Sequence, residues 1–461
     1  MQKIFRIRDN ESLLTDLYEF TMAQSYLENN MQNLVATFEV FIRRLPKNYS
    51  YFVVMGIEDS IDKILNLHFS DEDLTYLSSL GFSNQFLKYI AEIKFEGEIR
   101  SVREGTIIFP NEPIMQITAP IIQAQILESF VLNTINLQTT LATKASRVVI
   151  AANGKPVVEF GLRRTQGEDA ALAAAKCSYA AGAIGTSNLL AGKLYNIPVF
   201  GTMAHSFIEA FEDEEKAFEA FAKTFPSRTT ILVDTYDTIE GTKKAIKIAK
   251  DLEKKGYKLS AIRIDSGDLI QLSKECRKLL DDAGLNYVKI MVSGDLDEYK
   301  IKELIENGAR VDSFGVGTRM STSSDAPFVD IVYKLVEIQK NGEKIPIVKL
   351  SPQKVTLPLR KQVYRKTNEN SIFEKDVVAE EGEKFEGTPL LFVFVKDGKR
   401  IKERETLEQT KDYIKKQIDS LPEELKRIRE SNNYKVEVSD SLKAKLEEKQ
   451  LQIKTKQKVN Q

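Results

Sequence analysis

From about residue 150 the chain alternates short apolar runs with amphipathic stretches. The runs are 157–160, 183–186, 198–202, 230–234, 261–265, 288–293 and 313–316. Between them lie stretches such as 169–180, 206–223 and 238–255, with apolar residues three and four apart. That spacing puts apolar side chains on one helix face, whereas short β-branched runs bounded by turn residues read as strands. Strand and helix in alternation imply a parallel sheet with right-handed crossovers. About seven nearly equally spaced units predict an irregular, closed (β/α) barrel rather than an open sheet.

The flanking segments carry a different pattern. Helical periodicity covers 9–29, 56–67 and 71–93, around one strand at 35–42. Between 96 and 119 short strands are broken by Gly97, Gly105, Pro110 and Pro113, the pattern of a small antiparallel sheet. A helix is predicted over 123–152. Beyond 340 the pattern loosens to a strand at 390–395, a charged helix at 405–418 and a polar tail from 443 expected to fray. The predicted fold class is therefore α/β. An N-terminal α+β domain spans 1–122, the barrel spans 123–340, and a C-terminal segment, 341–461, packs back on both and completes the smaller α+β domain.

Composition narrows the function. The 461 residues are 42% hydrophobic and 29% charged, with a formal net charge of -1. This balance lacks the basic excess of a nucleic-acid binder. No apolar run is long enough to span a bilayer, and the N-terminus has no apolar signal core. A cytoplasmic protein without nucleic-acid or membrane partners is expected. Cys177 and Cys276, the only cysteines, sit in helical patterns without metal-ligand spacing and read as packed thiols. Two histidines exclude a His-rich metal site, so a catalytic metal must be a hard ion held by oxygens.

One of those histidines, His205, follows the run 198–202 and precedes an amphipathic stretch, where a strand gives way to a helix. A helix N-terminus disfavours a protonated imidazole, and a neutral imidazole is a nucleophile. The other runs also end in polar or glycine residues: Arg163 and Arg164; Thr186 and Ser187; Asp234 and Asp237; Arg263, Asp265 and Asp268; Ser293, Gly294 and Asp295; Gly315, Gly317 and Thr318. Barrel sites lie at the C-terminal ends of the strands. Turn glycines let backbone N–H groups approach a phosphate. Asp234, Asp265 and Asp295 end separate strands, and clustered carboxylates call for a cation or a polyhydroxyl ligand. Mg²⁺ carried on a diphosphate fits, because it takes a few carboxylates together with substrate oxygens. Arg163 and Arg263 suit a small carboxylate or a phosphate, and Phe160 and Tyr18 offer flat apolar faces. Asp237 and Asp268 read as helix caps.

These strings resemble the nicotinate phosphoribosyltransferases, a type II phosphoribosyltransferase family. The resemblance runs through Thr15–Met22, Phe38–Pro46, Gln138–Arg147, Glu159–Arg164, Gly201–Ser206, Arg263–Asp268, Val292–Asp295, Phe314–Thr318 and Lys361–Arg365. It implies transfer of phosphoribosyl from 5-phosphoribosyl 1-diphosphate to nicotinate, an entry step of NAD salvage, coupled to ATP hydrolysis in a ligase-type reaction. By that resemblance His205 would accept the γ-phosphoryl group, Asp265 would hold ribose hydroxyls, and Asp234 would position diphosphate and Mg²⁺. Ser293, Gly294, Asp295, Gly315, Gly317 and Thr318 would hold the 5′-phosphate and ribose. Arg163, Arg263, Thr186 and Ser187 would surround nicotinate, stacked between Phe160 and Tyr18 of the partner subunit, with Asp16 beside it. Arg43, Lys144 and Arg147 are further phosphate candidates. A homodimer with shared sites is implied. The nicotinamide relatives carry Asp where this chain has Ser187, so the acid is the expected substrate. Non-catalytic nucleotide sensing on the same fold is the rival of another class. The chain departs from its relatives at Pro358-Leu359, where Pro-Gly is expected, and it lacks the cysteine cluster some carry near the C-terminus, so no structural zinc is expected.

Overall fold

The computed structural model describes residues 12–350 and 355–459. The chain divides into two compact units, 1–140 with 328–461 and 141–327.

In the first unit, seven antiparallel strands run in the order Glu343–Pro346, Ile331–Lys340, Val35–Ile42, Pro113–Pro120, Glu98–Ser101, Phe392–Lys396 and Lys399–Arg400. Residues 328–340 belong to this unit because Ile331–Lys340 pairs along the whole of Val35–Ile42. Val35–Ile42 is buried on both faces, which explains its nearly continuous apolar run. Phe38 stacks on Tyr333 with ring centroids 4.8 Å apart. The predicted helix at 9–29 is observed as Leu17–Glu28, and residues 9–11 lie outside the described chain. The predicted helix at 71–93 is two helices, Asp71–Ser79 and Asn84–Ala91. Gly81, at φ +90°, turns the chain between them, and Ser83 caps the second by accepting from Phe86 N. The tail expected to fray from 443 is helical over Asp440–Val459. Leu442 is buried in the core and Lys445 pairs with Glu380, and these contacts outweigh the tail's polarity.

The departure at Pro358-Leu359 has a structural counterpart. Leu359 adopts φ +65°, the left-handed region that glycine occupies without strain. The buried Lys361 ammonium holds this turn, donating to Leu357 O at 2.9 Å and Leu359 O at 2.8 Å while pairing with the Glu39 carboxylate at 3.1 Å. The Leu359 side chain is itself buried. Left-handed backbone costs a non-glycine residue about 1–2 kcal/mol. Burying a leucine contributes about 1.5–3 kcal/mol, and glycine also loses more chain entropy on folding. Leu359→Gly is therefore expected to lower stability by about 1 kcal/mol despite relieving the strain. A urea midpoint shifted upward would reverse that ordering of terms.

The second unit holds a six-stranded parallel sheet in the order Gly185–Thr186, Val157–Glu159, Ser313–Val316, Lys289–Val292, Ala261–Ile264 and Thr230–Leu232. Of the seven predicted runs, 198–202 contributes only an isolated parallel bridge, between Val199 and Thr186. Pro198 has no N–H to extend the ladder, and its carbonyl accepts from Thr186 N instead. The observed architecture is mixed α/β, with this parallel sheet and separate antiparallel sheets. The helix Glu168–Ala180 is buried from Ala170 onward, and its six alanines in that stretch let it lie close to the strands.

Candidate functional site

The site residues of the second unit lie where parallel strands end. Asp237 and Asp268 cap the helices Thr238–Lys254 and Leu269–Asp282, each accepting two backbone N–H groups. These carboxylates are committed to helix starts, as their spacing predicted.

Asp234 and Asp265 are drawn together. Asp234 Oδ2 accepts from Asp265 N at 2.9 Å and from Ser266 Oγ at 2.6 Å. Asp265 Oδ1 accepts from Ser293 Oγ. Gly294, at φ +90°, lies against Asp265, where a Cβ would stand 1.9 Å from the carbonyl oxygen, so no side chain fits there. Arg263 completes the group. Burial pushes its guanidinium down, Asp265 and Asp234 oppose that, and Arg163 reinforces it. Its Nη2 donates to Met203 O at 3.2 Å. Two buried atoms here lack a protein partner: Asp234 Oδ1 and Arg263 Nε. Buried polar atoms are ordinarily satisfied, so this pair marks a place built for a ligand with both an acceptor and a donor or cation. His205 opens the short helix His205–Glu209, and its Nδ1 lies 3.1 Å from Thr235 Oγ1, one residue from Asp234.

A second group surrounds the strand Val157–Glu159. Phe160 is half-buried and its ring packs over Gly315, where a Cβ would stand 2.7 Å from ring carbons. Gly317 passes close to the Phe160 carbonyl, and Thr318 begins the one-turn helix Thr318–Ser321. Arg163 and Arg164 are exposed. Thr186 is fully buried and Ser187 half-buried. Asp295, at φ +48°, projects outward and receives both Nε and Nη2 of Arg319 at 2.8 Å. That guanidinium holds the Asp295 carboxyl below the usual carboxylate range. Asp234 and Asp265 therefore share a backbone contact, while Asp295 is engaged separately.

Lys144 and Arg147 are buried and engaged. Lys144 Nζ lies 2.6 Å from both Glu298 Oε2 and Asp325 Oδ1, and Arg147 Nε lies 3.0 Å from Glu298 Oε1. The remaining predicted residues belong to the first unit. Arg43 N donates to Asp330 O at 3.0 Å, with its guanidinium 4.0 Å from the Asp330 carboxylate. Asp16 accepts from Ser129 Oγ at 2.9 Å. Tyr18 is exposed, and partial burial beside Glu128 and Glu19 pushes its phenol well above the usual range. Asp16, Tyr18, Glu128, Ser129 and Asn136 line a cleft of about 450 Å³.

Three family models match the chain: the nicotinate phosphoribosyltransferase N-terminal domain over 13–136, the nicotinate phosphoribosyltransferase family over 156–379, and its C-terminal domain over 381–446. A nicotinate phosphoribosyltransferase of Mycobacterium tuberculosis is 48% identical over 94% of this chain and 93% of its own length. The chain belongs to the nicotinate phosphoribosyltransferase family. The Bacillus subtilis nicotinate phosphoribosyltransferase is 38% identical over 94% of each chain. Among solved structures, human nicotinic acid phosphoribosyltransferase superposes with a TM-score of 0.84 at 27% identity, covering 94% of this chain and 99% of the human one.

Within this nicotinate phosphoribosyltransferase fold, two residues escaped the sequence reading. Arg319 follows Gly-Val-Gly-Thr directly and supplies the cation that Asp295 holds. Glu159 ends the strand Val157–Glu159 and is fully buried, with Gly161, Thr186 and Ser321 donating to its carboxylate. A charged residue inside a buried strand was the available signal for Glu159.

Proposed function

We propose that this chain joins nicotinate to 5-phosphoribosyl 1-diphosphate, forming nicotinate mononucleotide and releasing diphosphate, with ATP hydrolysis coupled through phosphorylation of His205. The observation that carries this reading is the pairing of a partnerless Asp234 Oδ1 with a partnerless Arg263 Nε among the strand ends. The relatives' names agree with the transfer of phosphoribosyl to nicotinate. The six strands and the bridge at Val199 are read as a barrel open between Val199 and Thr230–Leu232.

In this mechanism Arg263 and Arg163 receive the nicotinate carboxylate, and Phe160 packs on the ring. Asp265 accepts from ribose hydroxyls, while the Gly294, Gly315 and Gly317 turns bring backbone N–H groups to the 5′-phosphate. The nicotinate nitrogen bonds C1′ as the C1′–O bond to diphosphate breaks, and positive charge gathers on the sugar beside the carboxylates. Mg²⁺ carried on the diphosphate would neutralise the departing oxygens, and Asp234 Oδ1 is the atom free to face it. Among the described residues no cluster of three or more His, Cys, Asp or Glu forms a metal site. With Nδ1 engaged by Thr235 Oγ1, His205 Nε2 is the ring nitrogen left to take the γ-phosphoryl group as ADP leaves. The reading places this reaction in NAD salvage, in the cytoplasm. A homodimer is proposed as well: Leu189, Leu190, Val199 and Phe200 are large exposed apolar side chains of the second unit.

Side-by-side kinetics test the substrate. Ser187 stands where an aspartate would repel a carboxylate, so nicotinate is expected to exceed nicotinamide in kcat/KM by tenfold or more, an advantage of about 1.4 kcal/mol. Equal or better use of nicotinamide would overturn the assignment. Nucleotide binding without turnover would favour the sensing alternative.

A further inference from the structure

The Glu159 carboxylate is fully buried and is met by backbone and hydroxyl donors. It receives three hydrogen bonds, from residues at or beyond the ends of three different strands. Oε1 accepts from Gly161 N and from Ser321 Oγ at 2.7 Å, and Oε2 accepts from Thr186 Oγ1. Its own carbonyl accepts from Ser187 N at 2.9 Å. The Thr186 hydroxyl accepts in turn from Asn188 N at 3.0 Å, and Asn188 caps the helix Leu189–Tyr195 by accepting from Ala191 N. Ser187 is thus held from both sides, by the Glu159 carbonyl and by a relay from the Glu159 carboxylate through Thr186 to Asn188. Thr186 has no exposed surface, and its donor and one lone pair are already used, so its hydroxyl acts as a link rather than as a ligand contact.

We infer that Glu159 is a positioning residue for selection between a pyridine acid and its amide, acting through the Thr186–Asn188 turn that presents Ser187. This inference rests on the proposed substrate reading for its kinetic arm only. The direction of the hydrogen bonds gives it a specific test. In Glu159→Gln the carboxamide oxygen keeps the Oε1 position, where two donors await it. The NH₂ group then faces the Thr186 hydroxyl, which already receives Asn188 N–H and must turn its own proton elsewhere. The substitution keeps shape and two of the three links, and it reverses only the link toward Ser187.

Glu159→Gln is expected to lower the nicotinate-to-nicotinamide ratio of kcat/KM by about tenfold, the effect of about 1.4 kcal/mol. The KM for phosphoribosyl diphosphate should stay near the wild-type value. Thr186→Val should reproduce the split, and Thr186→Ser, which retains the hydroxyl, should restore it. Should Glu159→Gln fail to fold, the Thr186 pair carries the test alone. Amide hydrogen exchange reads the same link without substrate: the Asn188 N–H should exchange faster in Thr186→Val and Glu159→Gln, with Gly161 unchanged. Parallel loss of all kinetic constants, or unaltered exchange at Asn188, overturns the positioning role. A wild-type enzyme that makes no nucleotide from nicotinate refutes the substrate reading, and the exchange result still decides the role of Glu159.

Discussion

His205→Ala should incorporate no label from γ-labelled ATP, where the wild-type protein gains an acid-labile, base-stable phosphoryl group. ATP should cease to stimulate nucleotide formation in the variant, while transfer without ATP persists. The expectation follows from position. His205 is half-buried at the start of a helix, and Thr235 occupies Nδ1 at 3.1 Å, leaving Nε2 as the nitrogen that can attack. The start of a helix favours the negative charge that a phosphorylated side chain carries. Among the described residues the ring makes a single side-chain hydrogen bond, to Thr235, so its loss should leave the thermal midpoint nearly unmoved. Wild-type labelling of the variant would place the phosphoryl acceptor elsewhere. Loss of transfer both with and without ATP would make His205 part of the transfer step itself.

Arg263→Met should reduce kcat/KM for nicotinate by about thirtyfold to several thousandfold, from the loss of about 2–5 kcal/mol in a buried charge pair. Arg263 lies within the electrostatic reach of Asp234, Asp265 and Arg163, and its Nε is buried without a partner. Burial and the neighbouring Arg163 both weigh against its charge, so an anion that joined the two guanidiniums would relieve both at once. Methionine preserves much of the volume and removes the charge. The loss should be larger for nicotinate than for nicotinamide, which has no carboxylate to pair. An equal loss for both would make Arg263 a support for the aspartates rather than the anchor of the acid.

The strands and the residues at their ends were readable in the chain because both signals are local. The run 313–316 is apolar because the strand is buried, and its glycines follow because Phe160 packs over Gly315 and the Phe160 carbonyl lies close to Gly317. Asp237 and Asp268 were legible as caps for the same reason, since a cap acts on backbone two and three residues away. The seventh run was less legible, because periodicity does not register that Pro198 removes a ladder donor. The tail was misjudged because its polarity was visible and its partner Glu380, far away in sequence, was not.

By itself, the sequence determined the alternation of strand and helix, the positions where chemistry-bearing residues end the strands, and the family to which those motifs belong. Each depends on neighbours within a few residues. Only the tertiary structure decided what each charged group faces. Asp295 is held by Arg319, Lys144 and Arg147 share Glu298, and Asp234 and Arg263 keep unpaired atoms in the site. Glu159 became visible as the tie among three strand ends in the same way. Ion pairs and buried hydrogen bonds form between residues brought close by folding, and their energies depend on desolvation that no linear pattern records.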